Sequence, residues 1–499
     1  MSPLTAAFDD RARRVPEAPA LIWRGTAVPY GELGALAGVF QERLRHLGGD
    51  RAAPVCVPAR RTPETLALLV AALRDGRPVL LPSAELGADT LRELTAGAGI
   101  DRVLTAEPAY DGPGGLGVET VVPRADAPAV PEGTGLLLTT SGSTGTPKVV
   151  PLPLDAVGRF TAWAAEHFGL GPDTAVLNYA PLNFDLCLLE VWATLAAGGR
   201  VVLVDPDRAT DGAHLRELIS AHDVHLVQGV PLLYRLLAEG ADPAEPLKSV
   251  RHVVLTGDAV PPRLLARLPG LFPDASFANV YGCTETNDSL ILDAGPLLPG
   301  DVETTGPLPL GRPLPGVRAL VLREDGQPLE GPGTGELLVH TPFQAHGYLD
   351  PARGADRFVR RADADGPRVW FRSGDLVRRT ADGTLHLVGR TDFQVKVRGV
   401  RISLEEVEQT LLAHPEVADA VVVTVPDEAA GKRLQALVRR VPGSALHVLA
   451  LREHCARRLA RTAIPSDIRV TDASLPKGPT GKNDRAAVGD VRRLKGNRA

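Results

Sequence analysis

Between residues 155 and 280 the chain alternates, five times over, a stretch of helical period with a run of four to six β-branched or apolar residues. Helices are expected over 155–168, 185–197, 213–221, 231–238 and 261–268, and strands over 175–179, 200–204, 224–228, 252–255 and 277–280. Short apolar strands separated by helices build parallel sheets covered on both faces. Ligands of such sheets bind beyond the carboxyl ends of the strands, where Gln228, Thr256 and Tyr281 fall. The first hundred residues follow the same rhythm, with helices over 63–73 and 88–98 and strands over 20–23, 78–81 and 102–105.

Near residue 300 the pattern changes. Pro and Gly become frequent, and Asp325-Gly326 and Asp382-Gly383 each sit between strand-like runs as hairpin turns. Residues 305–390 therefore read as a small β-unit. From 394 an α+β pattern begins: a strand over 394–397, a capping box at Ser403-Leu-Glu-Glu406 that starts a helix at Leu404, strands over 417–425 and 434–441, a helix over 444–461 and a strand over 467–470. A unit of about a hundred residues can fold by itself. The division expected is a core over 1–390, a hinge at 391–393 and a second domain over 394–499.

Composition excludes several classes. The net charge is -5 and aromatic residues are 4% of the 499, which argues against nucleic acid and anionic membranes as partners. No run reaches eighteen apolar residues and the N-terminus has no apolar leader core, so a cytoplasmic protein is expected. Cys56, Cys187, Cys283 and Cys455 are scattered, without metal-ligand spacing.

The most specific stretch runs from Leu136 to Val150: an apolar strand, then Thr139-Thr-Ser141-Gly142-Ser143-Thr144-Gly145-Thr-Pro-Lys148, then a second apolar strand. Gly142 and Gly145 permit tight turns and close approach of an anion to the backbone. Hydroxyls and N–H groups can donate to phosphate oxygens, and Lys148 adds a point charge. The spacing is not that of a P-loop. Four further signals follow in order. In Asn279-Val-Tyr281-Gly-Cys-Thr284-Glu285, Tyr281 could stack on a base, Thr284 could bond phosphate and Glu285 could hold Mg²⁺ through one oxygen. In Ser373-Gly-Asp375 the carboxylate could accept ribose hydroxyls. Gly389-Arg390-Thr-Asp392 and Gly481-Lys482 complete the set. Each alone is an ordinary turn.

Together and in this order, over Phe8 to Arg485, the motifs resemble the adenylate-forming superfamily of acyl-CoA synthetases, nonribosomal peptide synthetase adenylation domains and luciferases. The adenylation domains are the nearest branch. Gln394-Val-Lys-Val-Arg-Gly-Val-Arg-Ile402 is similar to their hinge-side motif, and Asn183-Phe184-Asp185 to their Phe-Asp signature. The resemblance implies an α/β fold, with a large N-terminal domain of two doubly wound, mostly parallel sheets plus a small β-barrel, hinged to a small α+β domain. It implies ATP and Mg²⁺, with Thr139, Ser141, Gly142, Ser143, Thr144, Gly145 and Lys148 on the phosphates and Tyr281 on adenine. Asp375 and Arg390 would hold the ribose, Thr284 the α-phosphate and Glu285 the metal. Lys482 would be the catalytic lysine and Asp392 the hinge. An amino-acid pocket would comprise Phe184, Asp185, Leu186, Leu189, Gln228, Val254, Thr256, Val280, Asp288 and Ser289, with Asp185 on the α-ammonium, because a cation in a partly dry pocket needs a carboxylate. Asp185 also reads as an N-cap of the following helix. The polar members of this set favour a polar or basic amino acid.

Cys283 stands where these domains usually carry Pro, Thr256-Gly257-Asp258 where Gly-Gly-Glu is commoner, and Leu189 where an aromatic is frequent. With nineteen residues after Thr480 a free-standing enzyme is expected, acting on a separate carrier protein with a phosphopantetheine arm. Some relatives take a small MbtH-like activator, on which the sequence is silent. The competing readings are an acyl- or aryl-CoA ligase, an amide ligase that intercepts the adenylate with an amine, and a binding protein without turnover.

Overall fold

The computed structural model describes residues 3–48, 50, 53–107, 115–140, 147–239, 245–296, 308–363, 366–391, 394–427, 431–476 and 488. The chain forms two compact units: Met1–Ala84, Thr95–Thr139 and Val149–Thr391 in the larger, and Glu85–Leu94, Thr140–Lys148 and Asp392–Ala499 in the smaller.

The larger unit is built on a nine-stranded sheet in the order Arg312–Pro313, Asn287–Pro296, Ser276–Cys283, His252–Leu255, Leu226–Gly229, Ala175–Asn178, Arg200–Leu203, Pro19–Trp23, Thr26–Pro29. The six strands from Ser276–Cys283 to Pro19–Trp23 are parallel, with antiparallel hairpins at both edges. Alternate residues enter different cores, as a period of two requires. Val176, Val201, Leu226 and Val254 face one core, and Leu177, Val202, Val227 and Val253 the other, under the helices Gly212–Ala221 and Pro231–Ala238. A six-stranded sheet, ordered Leu116–Thr120, Arg102–Ala106, Val55–Cys56, Val79–Leu81, Thr134–Thr140, Lys148–Pro153, contributes Val55, Val79 and Leu136 to the first core. Helix Pro63–Arg74 lies in that same core, and every residue from Leu66 to Leu73 is buried, as expected of a helix apolar on all sides. The unit also contains a five-stranded antiparallel sheet in which Gly366–Arg379 pairs with Gly333–His340, Phe358–Asp363 and Leu385–Arg390.

In the smaller unit the strands Val417–Asp427, Gly431–Arg440 and Asp467–Thr471 form one sheet. The hairpin Gln394–Val397/Val400–Ser403 and helices Leu404–Leu412 and Val448–Ala456 help close its core around Val407, Leu411, Val422 and Leu451. The Ser403 hydroxyl accepts from Glu406 N at 3.2 Å, completing the expected N-cap.

Four expectations are corrected. The helix expected over 185–197 is a π-helix over Leu188–Ala193, continued by Thr194–Ala197; residues 185 and 186 are turn. Its cap residue is Cys187 and no side chain caps it, so Asp185 does not serve as the N-cap. The helix over 261–268 is two short pieces, Pro262–Leu265 and Leu268–Leu271, because Pro269 starts a new turn and lacks the N–H to continue the old one. The strand over 277–280 extends to Ser276–Cys283, since the following segment folds back on it. The helix over 444–461 shortens to Val448–Ala456. The Ser444 hydroxyl donates to Glu416 Oε1 at 2.8 Å and accepts from Leu446 N at 2.9 Å, which holds the start in a turn, and His447 caps the helix instead.

Candidate active site

One hairpin carries several of the expected residues. Ser276–Cys283 pairs with Asn287–Pro296, with Tyr281 opposite Leu290 and Gly282 opposite Asp288. Thr286 N donates to Cys283 O at 3.0 Å, and Asn287 takes φ +57°, a left-handed value that Asn tolerates. At Gly282 a Cβ would lie 2.3 Å from Asn287 O, so only glycine lets the strands close here. The buried Ser289 hydroxyl bonds Thr286 Oγ1 and Asn287 O, both at 3.1 Å, and so braces the turn.

Tyr281, at the end of its strand, donates its hydroxyl to Asp375 Oδ2 at 2.5 Å. Burial, and then the Asp375 charge, push this phenol well above its ordinary range, so it stays a donor. Asp375 Oδ1 pairs with Arg390 Nη1, its partner across the strands Gly366–Arg379 and Leu385–Arg390. Arg390 Nη2 donates to Ser373 O at 3.0 Å, and the Ser373 hydroxyl accepts from Asp375 N at 3.0 Å. Between them Gly374 has φ +75°. Tyr281, Asp375 and Arg390, far apart in sequence, therefore form one cluster. A carboxylate has about four lone-pair sites, so Asp375 can accept further hydroxyls while holding both partners.

Glu285 is buried, with 1% exposure. Its Oε1 accepts from the Tyr348 hydroxyl at 2.6 Å, and its backbone oxygen from Ala345 N at 2.9 Å. Thr284 beside it is half-buried. Among the described residues no cluster of three metal-ligating side chains exists. One oriented carboxylate fits Mg²⁺, which keeps several waters and shares phosphate oxygens rather than entering a protein cage.

The expected amino-acid residues gather beside these. Leu189, Val254 and Val280 are buried in one apolar cluster with Phe184, Leu186 and Tyr281 packed against it. Gln228 and Thr256, at strand ends, are buried, and Gln228 Nε2 donates to Leu186 O at 3.1 Å. Asp288 follows the hairpin turn. No described residue bonds its carboxylate, and burial, with Asp185 nearby, pushes that carboxyl up to about 8. Thr139 is the last residue but one of the strand Thr134–Thr140, and Lys148 begins the strand Lys148–Pro153. Ser141, Gly142, Ser143, Thr144, Gly145, Asp392 and Lys482 lie outside the described residues.

Two further groups belong to the site without carrying a motif in the sequence. Tyr348 is 63 positions from Glu285 in the chain and belongs to a stretch with no chemical signature. Glu190, with Asn178 and Arg61, forms a buried polar network. Its signal was present: a single carboxylate inside the apolar run Leu186–Trp192 is a residue type almost never buried without partners.

Comparison with known proteins assigns the chain to a family and a fold. The AMP-binding enzyme family matches residues 8–349, and the AMP-binding enzyme C-terminal domain matches 406–482. An L-proline–[L-prolyl-carrier protein] ligase of Pseudomonas fluorescens is 33% identical over 359 residues, which span 72% of this chain and 68% of the relative. Phosphinothricin tripeptide synthetase PhsC of Streptomyces viridochromogenes is 33% identical over 505 residues, 98% of this chain but only 45% of that much longer protein. The structure of holo-PA1221, an NRPS protein containing adenylation and PCP domains, has a TM-score of 0.80 at 26% identity, covering 98% of this chain and 84% of that one. The chain belongs to the AMP-binding enzyme family and is an AMP-forming ligase with the adenylate-forming fold. No helix among the described residues is long and apolar enough to cross a membrane.

Proposed function

We propose that the protein activates an amino acid as its aminoacyl-adenylate and passes the aminoacyl group to the phosphopantetheine thiol of a separate carrier protein. In the first half-reaction a carboxylate oxygen of the amino acid attacks the α-phosphorus of ATP, and the bond to the β-phosphate breaks to release pyrophosphate. Such transfer requires positioning and charge neutralisation more than covalent help. Thr139, Ser141, Gly142, Ser143, Thr144, Gly145 and Lys148 hold the departing phosphates. Tyr281 packs on adenine, Asp375 and Arg390 bind the ribose, Thr284 contacts the α-phosphate, and Lys482 bridges it to the substrate carboxylate. Mg²⁺, when bound at Glu285, neutralises phosphate charge. In the second half-reaction the thiolate attacks the acyl carbon and AMP leaves, after the smaller domain has turned about Asp392. An MbtH-like protein would be an accessory to this cycle rather than a part of its chemistry.

The observation that carries the reading is the pair of acidic side chains near the strand ends, Asp185 and the half-buried Asp288, whose carboxylate no described residue bonds. Withdrawing a carboxyl from water without a partner is costly even when it is only half-buried, and an ammonium group of an amino acid relieves that cost. Asp185 takes the α-ammonium. Asp288 then favours a substrate whose side chain is basic or donates hydrogen bonds. The proline named for the Pseudomonas relative lacks such a side chain, so this specificity differs from that relative's. Pyrophosphate exchange over the amino acids, including diamino acids, and over aryl and fatty acids tests the reading. Exchange is expected with a small set of amino acids, strongest for basic or polar ones. Exchange confined to acids without an amino group would make the protein a CoA ligase and overturn the proposal. Transfer to a free amine but never to a carrier thiol would replace the second half-reaction by amide formation.

A further inference from the structure

Glu190 sits in the π-helical turn Leu188–Ala193 and is fully buried. Its Oε2 accepts from Asn178 Nδ2 at 2.7 Å and from Ala180 N at 3.1 Å. Its Oε1 accepts from Gln228 Nε2 at 3.4 Å. Arg61 grips the end of the same strand, donating through Nη1 to Asn178 O at 3.0 Å and Tyr179 O at 2.9 Å. A π-turn is an uncommon insertion, found mostly at functional sites; here it brings a carboxylate from an apolar helix to the ends of two neighbouring strands.

The consequence falls on Gln228. Its side-chain nitrogen faces a backbone carbonyl, Leu186 O, and a carboxylate, Glu190 Oε1. A backbone carbonyl cannot donate, so reversing the amide would set its oxygen against Leu186 O. Both amide hydrogens are occupied. The side chain is 2% exposed, and the polar atom left for a ligand is Oε1, which no described residue bonds.

We propose that Glu190 is a positioning residue for substrate selection: it holds Gln228 with its nitrogen turned away, so that the pocket offers an acceptor oxygen and selects amino acids whose side chain carries a hydrogen-bond donor. This rests on the amino-acid reading above. The groups around the carboxylate are Arg61, Asn178, Cys187, Gln228 and Tyr234, and burial has pushed its carboxyl up to about 7.

The test is a discrimination ratio: kcat/KM in pyrophosphate exchange for the preferred amino acid over its isostere with the side-chain donor replaced by methyl. In Glu190→Gln, an NH₂ group must oppose either Asn178 and Ala180 or Gln228, so a donor always meets a donor. The ratio is expected to fall about tenfold, the weight of one hydrogen bond. Gln228→Met removes the acceptor and should give the same fall, and adding Glu190→Gln to it should change the ratio no further. Equal losses for both amino acids with the ratio intact would make Glu190 merely structural and overturn the proposal, as would a ratio unchanged in Gln228→Met. That single variant decides the matter even if Glu190→Gln does not fold. Wild-type exchange with non-amino acids alone would overturn the amino-acid reading itself, a result distinct from an unaltered ratio among amino acids.

Discussion

The Tyr281 hydroxyl and Asp375 Oδ2 lie 2.5 Å apart, which ties the end of a strand in the nine-stranded sheet to the small antiparallel sheet. Removing Asp375 would take from the half-buried Arg390 guanidinium its carboxylate, leaving Ser373 O as an acceptor, and would take from the phenol its acceptor. Breaking a buried pair by deleting one partner costs about 3 kcal/mol or more, whereas Tyr281→Phe removes a single hydrogen bond worth about 1 kcal/mol. Asp375→Ala is therefore expected to lower the unfolding midpoint clearly more than Tyr281→Phe, and to raise KM for ATP. Denaturant unfolding and ATP titration of the two variants check both statements. Equal stabilities would show that the Asp375–Arg390 pair does not brace the cluster.

Tyr348 holds one oxygen of Glu285, and partners of this kind orient a metal-binding carboxylate. Their loss commonly costs 10-fold or more in metal affinity. Tyr348→Phe is expected to raise the Mg²⁺ concentration needed for half-maximal exchange by about that factor, with kcat largely recovered at saturating Mg²⁺. A lowered kcat at an unchanged Mg²⁺ requirement would contradict it.

Asp288 gives the pH dependence a sign. In the free enzyme its carboxyl is held up to about 8, so below that pH it carries a proton. A cationic side chain needs the carboxylate, and its binding expels that proton. Apparent KM for a basic amino acid should therefore fall about tenfold for each pH unit as pH rises toward 8, then level off. Asp288→Asn should flatten the profile, and a neutral amino acid should show no such slope in the wild type. Steady-state kinetics over this range provide the check.

The role proposed for Lys482 separates the two half-reactions. Lys482→Ala should depress adenylate formation by roughly 10²–10³, the usual weight of a transition-state donor, while thioester formation from pre-made adenylate continues. Equal loss in both steps would remove Lys482 from the first.

The parallel core was legible because each strand is a short β-branched run between helices of regular period, and a run such as Leu226–Gly229, buried throughout, has no other use. The clustering of Tyr281, Asp375 and Arg390 was legible only through motif resemblance, since nothing local in Ser373-Gly-Asp375 announces a partner 94 residues away. The π-turn was not legible. Local periodicity in Leu186–Trp192 supports an α-helix, and what overrides it is a tertiary demand, the donors of Asn178, Ala180 and Gln228 around one carboxylate. Asp185 looked like a helix cap for the same reason: the sequence shows the helix but not the residues of turn that precede it.

The hairpin Ser276–Pro296 carries Tyr281, Thr284 and Glu285 on one arm and its turn, and Asp288 immediately after the turn. The groups proposed for the nucleotide and for the substrate thus share one short piece of backbone, pinned at Gly282 and Asn287. For anyone re-engineering this enzyme, that makes the hairpin an indivisible module. A library that varies residue 288 to recruit a new monomer is expected to disturb Glu285, the proposed seat of the metal, so selections should screen magnesium dependence alongside the chosen monomer. Diversity introduced on the strand ends at Gln228 and Thr256 leaves that shared backbone alone.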